Sequence, residues 1–111
     1  MAQKTNSLYL LVLLAMSDHR LDSKETHKII KISKELKREF YVHDAIEEIN
    51  TKFRDDFDAA CDFYMSNIDD EKIRKAAVDY MHELAVVDAH LHQKEVKFLE
   101  KVKNKWGIQY F

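Results

Sequence analysis

A chain of 111 residues with one glycine and no proline can make few of the turns on which most folds depend. Strand-reversing hairpins and phosphate-cradling loops need residues at positive φ, where glycine sits without steric cost. Average usage is about 7% glycine and about 5% proline. The shortage excludes glycine-rich phosphate loops, dinucleotide fingerprints and hairpin-rich β folds. Helices joined by short turns remain. Hydrophobic residues are 46% of the chain, enough for a packed core rather than a disordered coil. The length suits a single domain over residues 1–111.

Apolar residues recur with the helical period along the whole sequence. The pattern predicts six helices. They cover about residues 7–17, 23–38, 43–53 and 56–67, then from after Asp69 to about Val87, and 93–106. The first is apolar almost all round from Leu8 to Met16, which places it at the centre. In the second, Ile29, Ile30, Ile32 and Leu36 face inward, and Lys24, Lys28, Lys31 and Lys34 face water. Phe53, Phe57, Tyr64 and Tyr80 fall on the apolar stripes and read as core, not as a stacking platform. Asp22 and Glu25 fit the N-cap and N3 positions of a capping box. Asp69 or Asp70 caps the fifth helix, and Gly107 suits the position just past the sixth.

The net charge is −2 and the pI about 6.3, so no basic field draws nucleic acid or an anionic membrane. The charge is segregated nonetheless. Residues 20–39 and 93–105 are rich in Lys and Arg, and residues 44–71 hold ten acids against two bases. Solvated helix faces account for this; an acidic middle attracting cations or a basic partner is the sharper reading. Asp55, Asp56, Asp58 and Asp62 crowd the start of the fourth helix, and Asp58 and Asp62, four apart, need solvent or a cation between them. The lone Cys61 excludes an internal disulfide. Between Asp58 and Asp62 it lacks the electropositive setting of a reactive thiol and reads as a buried hydrophobe.

The run Leu8–Met16 is too short to span a bilayer. It has the length of a signal-peptide core, with Ala15-Met16-Ser17 as a cleavage site. An internal repeat makes it part of the fold, so the chain is expected uncleaved and cytoplasmic. Shifted by 70, residues 14–36 align without a gap on residues 84–106, with seven identities in 23 positions: Leu14/Leu84, Ala15/Ala85, Asp18/Asp88, Leu21/Leu91, Lys24/Lys94, Glu25/Glu95 and Lys31/Lys101. The apolar pairs Ile29/Leu99, Ile32/Val102 and Leu36/Trp106 repeat as well. Each copy is a helix, a turn and a second helix, and the turn carries Asp, two residues, Leu, three residues and Glu.

These carboxylates admit two readings. Asp18 and Asp88 sit where a helix runs out of partners for its last carbonyls, and Glu25 and Glu95 fall in the next helix's first turn, where the dipole favours them. They can simply brace a helix corner. Alternatively Asp18, Asp22, Glu25, Asp88 and Glu95, with the orphaned carbonyls, supply the oxygen ligands that Ca²⁺ or Mg²⁺ takes. The spacing is not that of an EF-hand, whose Glu stands at position 12; here it comes at position 8. His19 lies beside Asp18, and His90 and His92 beside Asp88. They suggest Zn²⁺ or Ni²⁺, but the two copies share no histidine at matched positions. His82-Glu83 lacks the second histidine of a zinc-protease helix. No nucleophile–base constellation stands out, so the chain is not expected to be an enzyme.

The corners "LLAMSDHRLDSKE" and "LAVVDAHLHQKEVKFLEKV…WGI" resemble the two signature corners of the tellurite-resistance TerB-like proteins. That family includes the N-terminal segment of a DnaJ-like membrane co-chaperone. The family's corner reads Ala-Asp-Gly, variable residues around an aliphatic, then Glu. In this sequence the glycine is replaced by His19 in one corner and Ala89 in the other, and the residue there must accept positive φ or reshape the corner. The resemblance implies an all-α bundle of about six helices, its two corners related by a pseudo-twofold. It also implies a metal-binding acidic cluster that here maps to Asp18, Glu25, Asp88 and Glu95. The implied role is in bacterial stress responses with protein partners. The alternative is a metal-free adaptor that docks a protein through the basic face of the second helix, at Lys28 and Lys31, or through the acidic middle.

Overall fold

The computed structural model describes residues 3–16, 23–54, 56–86 and 93–107. Six helices fill them: α1 (Gln3–Met16), α2 (Ser23–Glu35), α3 (Val42–Phe53), α4 (Phe57–Ser66), α5 (Glu71–Ala85) and α6 (Gln93–Trp106). Among the described residues there is no strand.

The expected central helix is α1. Ser7, Leu8 and every residue from Leu10 to Ala15 are buried. It touches each of the other five helices, α5 and α4 most extensively. A helix apolar on all sides satisfies its surface only when enclosed, and a body of 31 × 29 × 29 Å lets five helices close around it. Each outer helix buries one stripe. Ile29 and Ile32 of α2, Ala45 and Ile49 of α3, and Tyr64 and Met65 of α4 reach the core. So do Val78, Met81 and Leu84 of α5, and Leu99 and Val102 of α6. Ile30 is only partly buried. Lys28, expected in water, is half-buried and donates to Glu83 Oε1 at 2.9 Å, tying α2 to α5. No described helix is long and apolar enough to cross a membrane.

Helix ends explain where the boundaries depart from the sequence pattern. α2 stops at Glu35 rather than near residue 38 because Lys37 turns left-handed, with φ 57°. Lys37 N–H then donates to the Lys34 carbonyl and Arg38 N–H to the Ser33 carbonyl, the paired bonds of a Schellman cap. Arg54, at φ 46°, ends α3 by donating to the Asn50 carbonyl. Gly107, at φ 67°, ends α6 as expected. Three helices thus close on a left-handed residue, and only one of the three is glycine.

At the N-termini, the Asp56 carboxylate accepts from Ala59 N–H to start α4. Asp70, not Asp69, caps α5 by accepting from Lys72 N–H. Asp69 instead accepts from the Gln3 side-chain amide at 2.8 Å. The Gln3 side-chain oxygen Oε1 accepts from Asp70 N–H at 3.0 Å. α1 therefore begins at Gln3, ahead of the apolar run, and its first residue is tied to the turn before α5.

Candidate functional site

The repeat aligns α1 and α2 with α5 and α6, and their registers agree. α2 begins at Ser23 and α6 at Gln93, the same position of the repeat. Leu14 and Leu84, Ala15 and Ala85, Ile29 and Leu99, and Ile32 and Val102 are all buried. Leu36 and Trp106 both pack partly buried against the core. The apolar half of the repeat is thus a packing pattern used twice.

Of the five corner acids, Glu25 is the one whose side chain the structure describes. Asp18, Asp22, Asp88 and the Glu95 side chain lie outside the described residues, as do Leu21, Leu91, His19, His90 and His92. Glu25 stands in the first turn of α2 and is 3% exposed, one of three buried polar residues among those described. Carboxylates are rarely removed from water so completely unless paired or bound. Among the described residues, no three His, Cys, Asp or Glu side chains gather as a metal cage.

The acids at the start of α4 find a different cation. Lys101 Nζ lies 2.6 Å from Asp58 Oδ1, and Lys105 pairs with Asp62. Asp56 is taken up as the cap, and Asp55 lies outside the described residues. The Lys105 hydrogen bond holds the Asp62 carboxyl below its ordinary value. Burial pulls the Lys101 ammonium down, but its hydrogen bond to Asp58 and the surrounding acids leave it raised overall. The crowded acids of α4 are therefore neutralised from within, by lysines of α6.

Cys61 is 1% exposed, with Met65 Sδ 3.5 Å from its sulfur. Burial pushes its thiol up to about 11, so at neutral pH it is no nucleophile. His82 of α5 is held below its ordinary value by burial and by Lys103, with Asp79 acting against them.

One feature escaped the sequence pattern. A groove of about 610 Å³ opens where α2 meets α3. Ile30, Phe40, Tyr41 and Val42 give it an apolar surface, and Lys34, Arg38, Glu39 and Asp44 border it. Phe40 packs edge-on against Tyr9 at 5.4 Å, and Tyr9 stacks on Tyr64 at 4.6 Å, with the rings 4° from parallel. That stack anchors one side of the groove to the core. Tyr41 is left 63% exposed. Phe40 and Tyr41 lie between two helices, off any helical period, so periodicity assigned them no face. The signal was present only as two adjacent aromatics in a connection.

No curated protein and no solved structure shows significant similarity to the chain. The family model described as tellurite resistance protein TerB matches residues 4–110, nearly the whole length, and spans both corners. With its all-helical architecture and its twice-used corner, the chain belongs to the TerB family.

Proposed function

We propose that this chain is a small stress-associated module of the tellurite-resistance type. It takes a divalent cation, Ca²⁺ or Mg²⁺, at its acidic corners. It works in the cytoplasm through protein partners, not by catalysis. The burial of Glu25 supports this reading. A carboxylate 3% exposed in a helix's first turn is desolvated at the position the repeat marks, three residues after Asp22 and seven after Asp18. Hard cations favour such carboxylate sets, and the α2 dipole favours the negative charge there.

A cation that binds the folded state raises its stability, by about 2.7 kcal/mol at 100 times Kd. Thermal melts with Ca²⁺, Mg²⁺ or Zn²⁺ are expected to shift upward, and the double variant Asp18→Asn with Glu25→Gln to lose the shift. No shift with any of the three at millimolar concentration removes the cation reading and leaves the metal-free adaptor in its place.

A further inference from the structure

We infer that the α2–α3 groove is the contact surface for a second copy of this chain, in a twofold dimer. The groove combines two things that suit an interface between identical copies. Its surface is apolar: Val42 is buried, Ile30 and Phe40 are half-buried, and Tyr41 projects from it 63% exposed. Tyrosine is among the residue types enriched at interface hot spots.

Its lining also carries both signs of charge, Lys34 and Arg38 with Glu39 and Asp44. Lys34 comes from α2, and Asp44 from the first turn of α3. Both are exposed, and neither makes an ion pair among the described residues. Lys28, Lys101 and Lys105, by contrast, are each committed to an acid of this chain.

A twofold contact must be self-complementary, because the same patch meets itself. Turned about a twofold along its length, this groove sets the Lys34 side of each copy against the Asp44 side of the other. Lys34 of one copy then faces Asp44 of its mate, twice over. Each Tyr41 enters the other's cavity. A net charge of only −2 opposes the approach of two copies weakly. The corner acids take no part, so the dimer does not depend on a bound cation.

The test is sedimentation equilibrium of the full chain in EDTA, across a concentration series. Wild type is expected to move from one chain to two as concentration rises. Lys34→Glu sets an acid against Asp44 across the twofold and Asp44→Lys sets a base against Lys34, so each variant alone is expected to dimerise roughly tenfold or more weakly. Mixed one to one, they recover wild-type dimerisation, because each acid again meets a base. Tyr41→Ser is expected to lose the dimer while keeping the fold, since Tyr41 is the N-cap of α3 with no side-chain cap bond and serine is the better cap. Far-UV circular dichroism checks the fold of every variant. Three outcomes overturn the proposal: a wild-type chain still monomeric at about 1 mM, charge variants that dimerise like wild type, or a mixture no tighter than its components.

Discussion

Lys101 Nζ lies 2.6 Å from Asp58 Oδ1, and one turn farther along both helices Lys105 meets Asp62. Residues four apart share a helix face, so the two acids repel each other and so do the two lysines. Set against each other, the pairs cancel both repulsions and join α4 to α6. Asp58 is 86% exposed, so a double-mutant cycle over Lys101 and Asp58 should give a coupling at the low end of roughly 0.2–1 kcal/mol. It should fade in about 0.5 M salt. Lys101→Glu should destabilise more than Lys101→Met, and Asp58→Lys in the same chain should restore the loss.

The second prediction concerns Lys37 and Arg54, left-handed at φ 57° and φ 46°. A side chain there strains against its own carbonyl by about 1–2 kcal/mol, and glycine relieves the strain at some entropic cost in the unfolded chain. Both residues are exposed. Lys37→Gly and Arg54→Gly should each raise urea stability by about 0.5–1 kcal/mol. Gly107→Ala should lower it by a similar amount: an added Cβ meets nothing within 4 Å, so the φ of 67° acts alone. Equal and opposite signs are the expected readout.

Helix number, the enclosed α1 and the paired registers of the corners were legible because each is written in apolar periodicity. The stretch Leu10–Ala15 has no polar face to turn outward, and Ile29/Leu99 and Ile32/Val102 repeat the same stripe. Polar partnerships were not legible, because they join residues far apart in the chain. Asp58 and Asp62 could be read as wanting a cation, but not that Lys101 and Lys105 would supply it. Lys28 was read as solvated and is committed to Glu83. The end of α2 was missed because Lys37 carries no residue-type signal for a left-handed cap. Of the candidate site, the burial of Glu25 is what the structure adds. The groove was invisible because Phe40 and Tyr41 belong to no helix face.

The Gln3 amide offers a third test. It donates to Asp69 at 2.8 Å and accepts from Asp70 N–H at 3.0 Å, the backbone beside the cap of α5. Gln3→Ala removes both bonds at once, at exposed positions where water replaces them. The expected cost is about 1 kcal/mol. It should appear in hydrogen exchange as faster opening at the start of α5, while the amides of Leu10–Ala15 keep their protection. Equal acceleration at both places would mean that the contact steadies the whole core.

The last prediction is alkaline destabilisation. Burial pushes the Cys61 thiol from 9.0 up to about 11. Burial, then the hydrogen bond and charge of Glu48, push the Tyr9 hydroxyl from 10.0 up to about 12. Tyr64 is raised too, by burial and then by Glu48. In each case the folded state holds its proton more tightly than the unfolded chain. The contribution is therefore complete below the unfolded values of 9.0 and 10.0. Above them the unfolded chain releases protons first, and stability falls until the folded groups ionise as well. The urea midpoint should hold to about pH 9 and then decline. Cys61→Ala should delay the onset toward pH 10.0, where Tyr9 takes over. Native Cys61 should react with thiol reagents only as fast as the chain opens. A midpoint unchanged between about pH 8 and 11 would show that these groups reach water in the folded protein.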